Sequence, residues 1–279
     1  MKQIVTAIIK SVINILSSFN VGLFVIDNIV EQIREKYQVI RHNNKEFRFA
    51  SPNRLALYRA DSFSTKEPET LEWIDDLPSS CVLWDIGANV GLYSIYAAKT
   101  RAARVYAFEP SVFNLELLAR NIHLNKVTEN VCIVPIALSS STNFNYLRMT
   151  TTEWGGALST FEKDFGWDGK KLNVTFDYQT IGISLDEVGT SLNLQTPDYI
   201  KMDVDGIEHF ILQGGKKLLS TIKGILIEVN DDFEKQAEEC NTLLTSCGLK
   251  LIAKKHSAEY ADPSSFGGGV VWNQIWARV

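Results

Sequence analysis

The sequence lacks any uninterrupted apolar run of about 18 residues, so no segment reads clearly as a bilayer-spanning helix. It has only four cysteines, Cys81, Cys132, Cys240 and Cys247, with no C-x-x-C pair and no histidine cluster beside them. Such usage speaks against a disulfide scaffold and a structural zinc site, and reads as buried, reduced thiols of a cytoplasmic protein. Runs of Lys and Arg are missing, and the formal net charge of −5 has the wrong sign for gripping a phosphate backbone. No nucleic-acid partner is therefore expected. There is no internal repeat and no low-complexity segment. The 279 residues are 45% hydrophobic and 22% charged, an ordinary soluble composition with room for one or two domains.

The first residues, MKQIVTAIIKSVINIL, have a basic start and many Ile and Val, yet Thr6, Lys10, Ser11 and Asn14 interrupt them. No small-x-small cleavage site follows before Asn20, which argues against a removed signal. Ile4, Ile8, Val12, Ile15, Leu16 and Phe19 recur at helical spacing. An amphipathic helix packed on the body, a homodimer contact through it, or a peripheral membrane contact are the readings this leaves. Location is expected to be cytoplasmic, with membrane-peripheral placement as the variant of it.

The helical pattern continues to about Tyr37, and short β-like pieces follow at Gln38–Ile40, Glu46–Phe49 and Leu55–Tyr58. Residues 1–57 are read as a helical and short-β extension, residues 58–279 as the main domain. Thr70–Leu77 reads as helix. Strands are expected at Cys81–Ile86, Arg104–Phe108, Val131–Leu138, Tyr199–Val204 and Gly224–Val229, alternating with helices at Gly91–Lys99, Val112–Leu124, Ile207–Leu219 and Phe233–Cys247. That alternation indicates an α/β fold, a mostly parallel twisted sheet covered on both faces, with ligands outside the carboxyl ends of its strands. Leu249–Lys254 and Val270–Ala277, joined by a turn at Pro263–Gly269, are expected to form a C-terminal antiparallel hairpin. Further strands are placed at Phe144–Met149 and Leu172–Phe176, around an interruption at about 149–169 assigned to acceptor specificity. There WGGALSTF and FGWDG set aromatic rings beside glycines, either closing over a sugar or forming a small core of their own.

VLWDIGANVGLYS, Val82–Ser94, is the most informative stretch. Gly87 and Gly91 bracket a tight strand-to-helix turn where backbone can approach a ligand. The dinucleotide pattern G-x-G-x-x-G fails, because Asn89 and Leu92 stand at its second and third glycines. That failure leaves a nicotinamide oxidoreductase only as a distant alternative. Asp85 at the first strand tip suits the ammonium of an amino-acid head better than a pyrophosphate. Glu109, in FEP at the tip of the next strand, can accept hydrogen bonds from two ribose hydroxyls. One ligand carries both an amino-acid head and a nucleoside: S-adenosyl-L-methionine.

DIGANVGLYS at Asp85–Ser94, FEP at Phe108–Pro110 and IKMDVDGIEHFILQGG at Ile200–Gly215 resemble the FkbM-type S-adenosylmethionine-dependent methyltransferases. YRADSFSTKEPETLEWID, Tyr58–Asp75, is similar to the lead-in of some members. The resemblance extends over about Tyr58–Val229. It implies a class I (Rossmann-like) methyltransferase fold, with Asp85, Gly87, Ala88, Asn89, Gly91 and Glu109 around the cofactor. It also implies a hydroxyl acceptor on a sugar or other small molecule. Where the family has D-V-E-G, this chain has Asp203-Val204-Asp205-Gly206, one methylene shorter at the second acid.

Strand alternation is expected to point Asp203 and Asp205 to one face. Asp203 is placed against the methionine part of the cofactor, Asp205 and Glu208 toward the acceptor, unless Asp205 and Glu208 merely cap the next helix. Transfer to an alcohol needs alignment and removal of one proton. Candidates for that base are Asp205, Glu228 and His209, in that order. Asp203, Asp205, Asp231 and Asp232 carry oxygen donors, but without a recognisable ligand spacing no metal is expected. A cofactor-binding module without turnover is the alternative to an O-methyltransferase.

Overall fold

In the computed structural model, residues 1–256 and 270–279 are described. The apolar spacing at the start forms two helices, α1 (Lys2–Leu16) and α2 (Asn20–Arg34). Gly22 lets them approach, since a Cβ there would lie 2.0 Å from the Leu16 carbonyl oxygen. β1 (Tyr37–His42) and β2 (Lys45–Ala50) pair antiparallel around Asn43 and Asn44, at φ 47° and 59°, a left-handed conformation that asparagine tolerates. Phe47 and Phe49 of β2 are buried against Phe63.

The extended reading of Leu55–Tyr58 is overturned, because those residues belong to helix α3 (Arg54–Asp61). Asn53 caps it, accepting from the Ala56 N–H at 2.8 Å, and Ala56 and Ala60 are buried one turn apart. Helix α4 (Pro68–Asp76) begins with its proline in the first turn, where no hydrogen-bonded N–H is needed.

The alternating pattern becomes β3 (Val82–Ile86), α5 (Leu92–Arg101), β4 (Arg104–Phe108), α6 (Val112–Asn125) and β5 (Val131–Val134). Pro135 ends β5, so the single strand expected over Val131–Leu138 splits, and β6 (Ala137–Ser139) joins another sheet. β7 (Asn143–Met149), β8 (Ser159–Phe161) and β9 (Phe176–Ser184) complete that second sheet, in the order β6-β9-β7-β8. The strand expected at Leu172–Phe176 starts only at its last residue.

After α7 (Leu185–Ser191) come β10 (Tyr199–Met202), α8 (Glu208–Gln213) and α9 (Lys216–Leu219). The single helix expected there breaks at Gly214 and Gly215. A Cβ at Gly214 would lie 2.6 Å from the Ser139 carbonyl oxygen, and one at Gly215 2.6 Å from Leu185. β11 (Gly224–Asn230), α10 (Glu234–Ser246), β12 (Lys250–Lys255) and β13 (Val271–Ala277) end the chain.

The main sheet runs β12-β13-β11-β10-β3-β4-β5, with β3, β4, β5, β10 and β11 parallel and β13 antiparallel to both its neighbours. The expected C-terminal antiparallel pair is present, and its turn at Pro263–Gly269 lies outside the described residues. Apolar side chains cover both faces: Trp84, Phe108, Ile200 and Ile227 belong to one core, Leu83, Val105, Ile95 and Leu226 to the other. Strand order reverses between β3 and β10, where the helices that follow leave to opposite sides and a crevice opens.

Candidate active site

A cavity of about 630 Å³ occupies that crevice, within the range of small-molecule sites. Its floor is the turn after β3. The Gly87 and Ala88 N–H groups donate to the Phe108 carbonyl at 3.0 and 2.9 Å, clipping the turn to the end of β4. Gly87 has φ 81°, and a Cβ there would lie 1.8 Å from the Asp203 carbonyl oxygen, so glycine is required where the two strand ends meet. Gly91, at φ 82°, starts α5.

Glu109 stands at the tip of β4, only 5% exposed yet lining the cavity. Its two carboxylate oxygens accept from the Asn89 and Ser111 N–H groups, each at 2.8 Å. Burial pushes its pKa up to about 7 against the pull of those hydrogen bonds. Asn89 also lines the cavity, and its buried Oδ1 has no hydrogen-bond partner among the described residues.

Asp85 departs from expectation. It lies behind the cavity wall, 1% exposed, accepting from Ser94 Oγ at 2.5 Å. Its other oxygen, 4.0 Å from Lys201 Nζ, has no hydrogen bond among the described residues. Alternation explains the placement: Asp85 shares its face of β3 with Leu83, toward α5. Burial raises its pKa, and Lys201 opposes the rise. Lys201, a residue the sequence reading missed, stands between Asp85 and the cavity.

Lys201 pairs in register with Asp85 across β10 and β3, is 2% exposed, and reaches the cavity. Its Nζ lies 3.1 Å from Asp203 Oδ2 and 5.1 Å from the centre of the Tyr93 ring. Burial alone would lower its pKa, but Asp203, Asp85 and Glu67 outweigh that and keep it charged. The signal available was a lysine inside an otherwise apolar strand, two residues before Asp203.

Asp203 and Asp205 both line the cavity, though not by alternation. The strand ends at Met202, and Asp205 has φ 60° in a tight turn. Glu208 staples that turn. It is 1% exposed, accepts from Val204 N at 3.0 Å and Gly206 N at 3.1 Å, and is held by Gln236 Nε2 at 2.5 Å. The acceptor-facing position expected for Glu208 is corrected to this capping one. Asp205 Oδ2 accepts from Leu158 N at 2.7 Å, and burial together with the Asp203 charge pushes its pKa up to about 6. Glu228, on β11, faces the same cavity, and burial with the Asp203 and Glu67 charges raises its pKa well above the ordinary value.

His209 is not at the site. It is fully buried on α8 against Phe210 and Phe233, with neither ring nitrogen hydrogen-bonded among the described residues. Burial, reinforced by Lys235 and Lys163, lowers its pKa to about 4. Its position one residue into the helix turns it into the aromatic layer. Asp231 is likewise engaged elsewhere, paired with Lys254 at 2.8 Å.

The roof comes from the interruption and α3. Asn89 Nδ2 and Asn114 Nδ2 both donate to the Gly156 carbonyl, at 2.7 and 3.0 Å, and Arg59 Nε donates to the Gly155 carbonyl at 2.5 Å. Gly156, Leu158, Ser159 and Trp167 line the cavity, whereas Phe165 packs on Phe210 and Phe233. The segment is therefore part roof, part small core. Tyr58, Arg59 and Lys66 complete the wall.

A mostly parallel sheet with one antiparallel strand beside its last parallel one, and a nucleoside-suited carboxylate at the tip of β4 facing the crevice, defines the class I S-adenosylmethionine-dependent methyltransferases. Residues 85–251 match the model of the Methyltransferase FkbM domain, and the chain belongs to that family. It is 41% identical to methyltransferase sdnD of Sordaria araneosa over 69 residues, 24% of this chain and 27% of that one. Against the hexuronic acid methyltransferase AglP of Haloferax volcanii it is 26% identical over 158 residues, 56% of this chain and 59% of that protein. The chain thus spans between about a quarter and three fifths of the lengths of these relatives.

Among similar solved structures is the M. jannaschii tRNA m1G37 methyltransferase, 14% identical, with TM-score 0.44, covering 87% of this chain and 54% of that one. The expectation of no nucleic-acid partner is withdrawn, because it rested on net charge and the lack of Lys/Arg runs alone. Overall charge does not decide the matter, because phosphate contacts depend on local patches.

Proposed function

We propose that the chain transfers a methyl group from S-adenosyl-L-methionine to a hydroxyl of a carbohydrate or another small molecule. Glu109 carries the reading: a carboxylate fixed at both oxygens by backbone N–H groups, facing the cavity beside the Gly87 turn. So held, it retains lone pairs for two vicinal ribose hydroxyls. The unpartnered Asn89 Oδ1 and the glycine turn fit the same nucleoside. When bound, the cofactor supplies a methyl carbon made electrophilic by its sulfonium.

The chain's own residues supply alignment and a proton acceptor. Asp205 is the base in this reading. A pKa of about 6 leaves it mostly ionised at neutral pH, yet basic enough to take a hydroxyl proton as the bond to carbon forms. Glu228, whose pKa burial and the Asp203 and Glu67 charges raise well above the ordinary value, faces the same cavity as the second candidate for contact with the acceptor. Lys201 fixes Asp203 on the methionine side. Trp167 and Tyr58 offer apolar ring faces to a sugar, and the hexuronic acid methyltransferase among the relatives supports a carbohydrate acceptor. The test is mass spectrometry of a glycan panel, including hexuronic acids, incubated with isotopically labelled methyl donor. Label on a hydroxyl oxygen is expected. Label confined to amines or carbon, or none on any glycan, would count against the proposal.

A further inference from the structure

The helical hairpin of α1 and α2 is the largest feature the site does not use. Every residue from Gln3 to Ile15 is exposed. Ile4, Ile8 and Ile15 are exposed by 67, 57 and 61%, and on α2 Val21 and Phe24 by 72 and 67%. Isolated fifteen-residue helices are marginal in water, and their stability ordinarily comes from burying an apolar face. Here those faces are bare, well beyond the scattered apolar residues normal on a soluble surface.

The arrangement of charge identifies what covers them. From Ser11 to Ile26, the end of the hairpin containing its turn, there is no charged residue; Lys10, Asp27, Glu31 and Arg34 lie toward the other end. Arg34 ties that charged end to the body, 3.4 Å from Glu116 and with its carbonyl accepting from Arg120. The uncharged end is about 10 Å of helix at ~1.5 Å per residue, which fits within one leaflet's share of a ~30 Å hydrocarbon core.

Both serine hydroxyls at the turn are already satisfied internally. Ser17 and Ser18 hydroxyls donate to the Ile13 and Ile15 carbonyls at 2.8 and 2.7 Å, and Asn28 Nδ2 donates to the Phe24 carbonyl at 2.7 Å. Hydrocarbon demands that. A second copy of the chain fits less well. Val21 and Leu23, exposed by 72 and 43%, project from nearly opposite sides of α2 at ~100° per residue, and a single protein interface covers one side only. Neither helix is long enough to cross a bilayer, and among the described residues no helix meets that requirement.

We propose that this hairpin inserts its uncharged end into one leaflet of a lipid bilayer and holds the body at a membrane surface. The attraction is apolar burial, since the charges of the hairpin are mixed in sign. The test is flotation of the full chain with neutral phosphatidylcholine vesicles, a readout independent of cofactor binding and turnover. Wild type should float with the vesicles. V21E/F24E, and separately V12E, should lower the partition coefficient at least tenfold with melting temperatures unchanged, since these side chains point outward. F144E, altering an equally exposed residue on β7 (77%), should float as wild type does. Wild type left in the aqueous fraction, or hairpin variants that float undiminished, overturns the proposal. Light scattering that shows a dimer in such a non-floating protein would assign the hairpin to a second copy instead.

Discussion

Replacing Glu109 by Gln should separate the carboxylate's charge from its shape. In the folded protein this group is buried and its pKa is pushed from 4.5 to about 7. A carboxyl whose folded pKa exceeds its unfolded one binds its proton more tightly when folded. Its contribution to stability is therefore fully present below pH ~4.5 and is lost as pH rises to ~7, after which the penalty is constant. Between pH 5 and pH 8 the loss amounts to about 2.5 kcal/mol. Glu109→Gln does not titrate. Its unfolding free energy relative to wild type should improve by that amount over the interval, about 4–5 °C in melting temperature for a chain this size. The assay is thermal melting of both proteins, cofactor-free, at the two pH values. An offset that is the same at pH 5 and pH 8 would refute the buried, proton-linked carboxylate. The same substitution should weaken S-adenosylhomocysteine binding about 100-fold, through loss of charged hydrogen bonds worth roughly 1.5–3 kcal/mol each.

Asp205→Asn should leave S-adenosylhomocysteine affinity intact and slow turnover by about 10²–10⁴. Wild-type turnover should rise through pH ~6 as Asp205 ionises, and a variant retaining that acid limb would remove Asp205 from the role. Gly87→Ala should destabilise the fold by about 3 kcal/mol or more, measured by denaturant unfolding, because the added Cβ falls 1.8 Å from the Asp203 carbonyl oxygen. His209→Leu should keep full turnover and match or exceed wild-type stability, since it removes a buried ring with no hydrogen-bond partner among the described residues. A large fall in turnover without unfolding would return His209 to the chemistry.

The parallel core was legible because its strands are continuous apolar runs stopped by Gly87, Pro110 or Gly206, signals that act within a few residues. Of the second sheet only the strand at Phe144–Met149, now β7, was legible, and its pairing was not. In that sheet β6 pairs with β9 across more than forty intervening positions, Ala137 with Gly182, and no local pattern encodes such a pairing. Leu55–Tyr58 misled because four apolar-leaning residues fit a strand or a helix equally. The Asn53 cap and the Ala56–Ala60 spacing decide it. At the site, Asp203, Asp205, Glu109 and Gly87 were found from motif and strand position. Asp85 was given the wrong neighbour because its face of β3 depends on what packs beneath. Lys201 and Arg59 were missed because their meaning arises only when β10, β3 and α3 come together.

Calorimetric titration of the full chain with S-adenosylhomocysteine tests the central claim, a nucleoside pocket built on Glu109 and the Gly87 turn. Saturable binding of one molecule per chain, abolished in Glu109→Ala and preserved in Asp205→Asn, is the predicted result. Absence of binding by folded wild type at high ligand concentration, or undiminished binding by Glu109→Ala, would contradict it.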